Sequence, residues 1–127
     1  DIYQNSHYHL KNRGAMLAKT YVVSMMFNRL LEDDLYLINA KNANNLCQEL
    51  KKELLKLNVE ICFPNKTNQL FIKLPKKTIN ELSTLYAFEV WEDLGDSQII
   101  RIVTSWATNK EIIKEFISDL EKMDRSL

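Results

Sequence analysis

Glycine and proline are scarce in this chain, with two of each among 127 residues. The glycines, Gly14 and Gly95, stand far apart, so no glycine-rich loop is present to cradle a phosphate. Two cysteines, Cys47 and Cys62, are too few for a disulfide scaffold and lack metal-ligand spacing. A reducing cytoplasm is the expected compartment. Seventeen basic residues balance seventeen acidic ones. The basic excess that a nucleic-acid or anionic-membrane partner calls for is therefore missing. No uncharged apolar run reaches the roughly 18 residues of a membrane span. No Ser/His/Asp or Cys/His arrangement offers a nucleophile.

What is present fits one folded domain, residues 1–127. Hydrophobic residues make up 46% of the chain and charged residues 27%, enough for one core and a soluble surface. The chain starts at Asp1 without Met or a signal-like segment, and we expect a piece of a longer protein. His7 and His9 form a His-x-His pair that could reach a metal from a strand, but no third ligand accompanies them.

Residues 12–32 read as one helix that is apolar on more than one face, through Met16, Leu17, Tyr21, Met25, Met26, Phe27 and Leu30. A helix apolar all round needs cover on all sides. A chain this short can hardly supply it, so a missing domain or a second subunit is expected to do so. Residues 33–58 read as a second helix, with Tyr36, Ala40, Ala43, Cys47, Leu50, Leu54 and Leu57 in one stripe. Asp33 and Asp34 suit its positive N-terminal end. Strands follow at 59–64 and 69–75, paired as a hairpin across the Asn65–Asn68 turn. Thr78 and Glu81 have capping-box spacing and predict a short helix to Tyr86. Strands at 88–94 and 97–106 flank Gly95-Asp96, and a second capping box at Thr108 and Glu111 opens an amphipathic last helix. The order α-α-β-β-α-β-β-α predicts an α+β two-layer sandwich. Its sheet is four-stranded and mainly antiparallel, helices pack on one side, and a long apolar crossing helix precedes it. Residues 1–32 form the lead-in and crossing helix, and residues 33–127 the body.

The fourth strand carries one cation. Apolar residues alternate on both of its faces, so cover on both sides is expected, yet Arg101 sits in its middle. A guanidinium there is costly unless something negative meets it. If Gly95-Asp96 is a two-residue loop, Arg101 lies opposite Val90 and diagonal to Glu92. The residues then leave two readings: an internal Arg101–Glu92 ion pair, or an arginine waiting for a ligand carboxylate, which it would grip with two parallel hydrogen bonds.

The segments NRGAMLAK, LLEDDLY, PNKTNQLF, YAFEVWE and IRIVTSWAT, with the capped last helix, resemble the C-terminal part of the β-eliminating lyase/threonine aldolase family. These are pyridoxal-phosphate (PLP) enzymes of the aspartate-aminotransferase fold type. The resemblance runs from about Leu10 to Met123, and IRIVTSWAT and PNKTNQLF are its most specific parts. It implies a first helix that runs over from a large domain. It also implies a homo-oligomeric parent that cleaves 3-hydroxy amino acids or eliminates a β-substituent, with PLP as electron sink. The lysine that bonds the cofactor belongs to the large domain and is not matched among the thirteen lysines here, so this chain alone is expected to be inactive. The family's arginine for the substrate carboxylate corresponds to Arg101. An arginine near the cofactor phosphate, at the start of the crossing helix, corresponds to Arg13. The end of the strand, Ser105–Thr108, departs from the more usual histidine-containing pattern and implies a distinct subgroup. A reading of another class is a free-standing regulatory or protein-interaction module that binds through its first helix.

Overall fold

The computed structural model describes residues 2–124, and the side chains of residues 3–123. Asp1, where the expected cut piece begins, and Arg125 lie outside the described residues. The chain divides into two compact units, residues 1–37 and 38–127.

The first unit holds helices α1 (Ile2–Asn12) and α2 (Thr20–Leu31) and a tight turn at Glu32–Asp34. The expected single helix over 12–32 is thus interrupted, and a helix occupies the lead-in instead. The break comes from Gly14. Its φ of +66° is left-handed, its N–H donates to Lys11 O, and Ala15 N–H donates to Leu10 O. That bonding pattern closes a helix C-terminus and favours glycine. None of the residues of α2 is buried, and Met25, Met26 and Phe27 are all exposed. No helix among the described residues is long and apolar enough to cross a membrane. Asp33 and Asp34 both adopt left-handed φ before the next helix, so they precede its first turn rather than occupy it.

Helix α3 (Leu35–Lys56) leads into the second unit. Asn58 ends it with the device that Gly14 uses: a left-handed φ of +59°, and Val59 N–H donating to Leu54 O. The predicted stripe is buried from Ala43 through Leu54, whereas Tyr36 is exposed. Strands β1 (Glu60–Ile61), β2 (Gln69–Pro75), β3 (Glu89–Asp93) and β4 (Ser97–Val103) form an antiparallel sheet in the order β1-β2-β4-β3. The two expected hairpins form, and β4 inserts between β2 and β3.

Leu70, Ile72 and Leu74 of β2 and Ile100 of β4 point to one face. They meet Leu46, Leu50 and Leu54 of α3, Ile79 and Leu82 of α4 (Lys76–Leu82), and Ile113, Phe116 and Leu120 of α5 (Lys110–Asp124). Burial of these side chains is the main favourable term, at roughly 25 cal/mol per Å² of apolar surface removed from water. The three helices of this unit lie on that one face. The opposite face carries Phe71, Lys73, Ile99, Arg101 and Val103, of which Val103 is exposed, so the expected cover on both sides of β4 is not provided by helices of this unit.

Neither expected capping box forms. Pro75, with φ of −59°, takes the cap position of α4, so the helix opens three residues early and Thr78 is buried within it. At the last helix Asn109 is the cap, its Oδ1 accepting from Ile112 N–H at 2.9 Å, while Thr108 Oγ1 accepts from Ser105 N–H at 2.9 Å. Tyr86 ties the end of α4 to α5, its hydroxyl donating to Asp119 Oδ2 at 2.9 Å. Burial and that carboxylate push the Tyr86 phenol up to about 12.

Asp93 organises the β3–β4 turn. It accepts from Lys76 Nζ at 2.9 Å, from Gly95 N–H at 2.9 Å and from Gln98 Nε2 at 3.1 Å. The Lys76 ammonium first, then the Gly95 and Gln98 donors, hold its carboxyl down to about 2 from 3.8. A depressed carboxyl stabilises the fold fully above its unfolded value and loses that contribution as pH falls through the folded one. Melting temperature is therefore expected to drop between pH 4 and pH 2, and Asp93→Asn to flatten that limb. An unchanged pH profile in the variant would show the turn holding without the charge.

Candidate functional site

The sheet face opposite this unit's helices places Arg101 at its centre. Across the strands Arg101 is opposite Phe71 on β2 and Glu89 on β3. Phe71 meets Phe63 edge-to-face at 5.2 Å and Trp91 edge-to-face at 5.1 Å. The Arg101 guanidinium carbon lies 5.7 Å from the centre of the Trp91 ring, within cation–π range. Three rings and one guanidinium thus form a continuous row. Glu60 and Lys73 pair beside it at 3.4 Å.

Arg101 Nη2 donates to the Glu89 carboxylate. Glu89, not Glu92, is the internal partner, and a β-bulge is the reason. Asp93 pairs with Gln98 and Glu92 with Ile99, the register that a two-residue loop predicts. Between Val90 and Glu92 the register shifts by one, which brings Val90 opposite Ile100 and Glu89 opposite Arg101. A one-residue slip moves a side chain to the other face of a sheet. Without the bulge Val90 would oppose Arg101 and Glu89 would face the helices.

The pairing leaves Arg101 incompletely satisfied. Its side chain is 32% exposed, yet Nε is buried and has no hydrogen-bond partner. A buried unpaired donor costs about 1–3 kcal/mol, more when the group is charged. Glu89 engages one nitrogen of a fork that offers five N–H donors.

Beyond Arg101 the strand is bolted down. Thr104 is 3% exposed and donates through Oγ1 to Ala43 O at 2.8 Å. Its N–H donates to Asn68 O at 3.0 Å, and its carbonyl accepts from Asn68 Nδ2 at 2.7 Å. Asn65 donates to Gln69 O and to Cys47 Sγ, and Gln48 donates to Asn65. The PNKTNQLF and IRIVTSWAT segments therefore meet at Asn68 and Thr104. Sequence reading missed both residues; a small polar residue ending an apolar strand was the available signal. Burial pushes the Cys47 thiol up, which suits a packed residue rather than a nucleophile.

Other candidates fall elsewhere. Arg13 is exposed in the first unit, just after α1, and makes no salt bridge among the described residues. His7 and His9 lie on α1, where residues two apart diverge, not on a strand. Among the described residues no group of three or more His, Cys, Asp and Glu side chains could hold a metal ion.

No protein-family model matches the chain. A low-specificity L-threonine aldolase of a Pseudomonas species is 26% identical over 115 residues, covering 89% of this chain and 32% of that protein. The structure of Leishmania major threonine aldolase superposes with a TM-score of 0.84 and 29% identity, over 94% of this chain and 35% of that one. The chain spans about a third of the length of these relatives. In class it is an α+β domain built on an arginine-bearing antiparallel sheet. Over nearly its whole length it is similar in sequence and fold to threonine aldolases, in keeping with a C-terminal domain of such a protein.

Proposed function

We propose that this chain is the substrate-carboxylate half of a PLP-dependent amino-acid lyase that cleaves 3-hydroxy or β-substituted amino acids. The observation that carries the proposal is Arg101, part-exposed on the sheet face opposite this unit's helices, with Glu89 holding one of its nitrogens. The donors left over suit a carboxylate in the geometry a guanidinium prefers. Similarity to threonine aldolases supports the substrate class.

In this reading Arg101 binds the α-carboxylate through the guanidinium N–H donors that Glu89 leaves open, beside the Trp91 ring. Holding the carboxylate fixes rotation about the bond to the α-carbon and so selects which bond stands in the reactive orientation. Bound PLP supplies an electron sink for that bond. The residues here fit that cofactor only in part. Arg13 has a free cationic side chain for its phosphate, but the C-terminal end of α1 presents carbonyls rather than N–H donors, so contact would run through the guanidinium alone. The lysine that bonds the cofactor would come from a large domain. The exposed apolar residues of α2 are the surface we assign to that domain, as a crossing helix, or to a second subunit of a homo-oligomer.

Assay of the full-length protein and of this 127-residue chain tests the function. The full-length protein is expected to bind PLP and release glycine from threonine, whereas the chain alone does neither. A full-length protein that binds no PLP would sink the enzyme reading and favour an interaction module that docks through α2.

A further inference from the structure

The β-bulge at Trp91 does more than shorten a strand. It turns Glu89 onto the face of Arg101 and sets the Trp91 ring under the guanidinium. An arginine side chain on a sheet face has several rotatable bonds and tends to swing its charge into water. Here it is held from two sides: Glu89 draws in one terminal nitrogen, and Trp91 supports the plane. Glu89 occupies only that nitrogen, so the Nε–H is left unfilled.

We propose that Glu89, brought onto the face by the bulge, is a positioning residue that holds the Arg101 guanidinium in place for the substrate carboxylate. The proposal rests on the carboxylate-binding reading of Arg101 and extends it to a residue that does not itself touch substrate. The pairing runs through Nη2 alone, so Glu89 orients Arg101 and leaves Nη1 to the substrate. Its loss removes an order already present before binding, and that order is worth affinity. The effect is expected in KM more than in kcat, because the reacting bonds are untouched.

A double-mutant cycle in the full-length, PLP-loaded enzyme tests this, with L-threonine as substrate and melting temperature recorded throughout. Glu89→Ala is expected to raise KM roughly five- to twentyfold with kcat changed less than about threefold. In the Arg101→Ala background the same replacement should change kcat/KM less than about twofold, since it acts only through Arg101. Glu89→Gln keeps an acceptor for Arg101 and is expected to give a smaller rise of the same kind; it decides the question if the alanine variant is insoluble. A KM that is unchanged or lower in the Glu89 variants, or an equal loss in both backgrounds, overturns the positioning role. If Arg101→Ala leaves KM unchanged, the carboxylate reading itself has failed. If Arg101→Ala raises KM and the Glu89 variants do not, only the positioning role falls.

Discussion

Arg101→Lys in the full-length protein is expected, if Arg101 grips a substrate carboxylate as proposed, to raise KM and lower kcat/KM roughly ten- to a hundredfold, about 1.5–3 kcal/mol of lost transition-state stabilisation. Lysine keeps the charge but loses the planar fork and its parallel donors. Arg101→Ala should lose more, because the carboxylate then has no cation to meet. PLP binding is expected to survive in both variants, since the residues assigned to the cofactor lie elsewhere. A purely internal role makes the opposite forecast. If Arg101 serves only to pair with Glu89, its removal lowers the melting temperature and leaves KM nearly unchanged. That pair is partly exposed, and such pairs contribute little stability, about 0–1 kcal/mol, so a large melting-temperature loss is not expected either way. Measuring KM, cofactor absorbance and melting temperature on both variants separates the two roles, and unchanged KM with reduced stability would rule out carboxylate binding.

Leu54→Ala is expected to have the largest effect on stability. Leu54 is fully buried on α3, within the cluster shared by β2, β4, α4 and α5. Deleting a buried leucine side chain removes its transfer energy and leaves a cavity, at a cost of about 2–5 kcal/mol. Since domains are stable by only about 5–15 kcal/mol, that is a large fraction of the total. For a unit of this size, a loss near 3 kcal/mol lowers the melting temperature by roughly 12–24 °C. Met26→Ala on α2 is the control. Met26 is exposed and should leave the melting temperature of this chain within a degree or two. Equal losses for the two variants would mean that α2 belongs to the cooperative core.

The parts of the fold that were legible in the sequence are those set by periodicity. The stripe from Ala43 to Leu54 and the alternation of Leu70, Ile72 and Leu74 both became core. The two hairpins followed from short connections. The parts that were not legible turn on single residues. Gly14 ended a first helix just ahead of the apolar run that begins at Ala15, so the expected helix over 12–32 starts only at Thr20. Pro75 moved the start of α4 and put Thr78 inside rather than at the cap. The register of Arg101 was readable as far as Glu92 and then lost, because a bulge leaves no mark in a strand of alternating residues. Thr104 and Asn68 were missed for a related reason: their partners are carbonyls and amides of distant segments, which side-chain identity does not reveal. Arg101 stood out because a lone cation amid β-branched residues violates the local pattern, and such violations gather at functional or strained sites.

The bulge at Trp91 has a consequence unrelated to ligands. With the order β1-β2-β4-β3, the sheet ends in β1 on one side and β3 on the other. A flat, open edge strand is a template on which another chain can add, the first step of fibrous aggregation. β1 pairs over only two residues and runs on to Pro64, too short and too irregular to serve. β3 is five residues long and carries Glu89, Glu92 and Asp93, and the bulge twists its backbone out of the straight ladder that an incoming strand needs. The irregularity that brings an acid to Arg101 also stops the sheet from growing sideways.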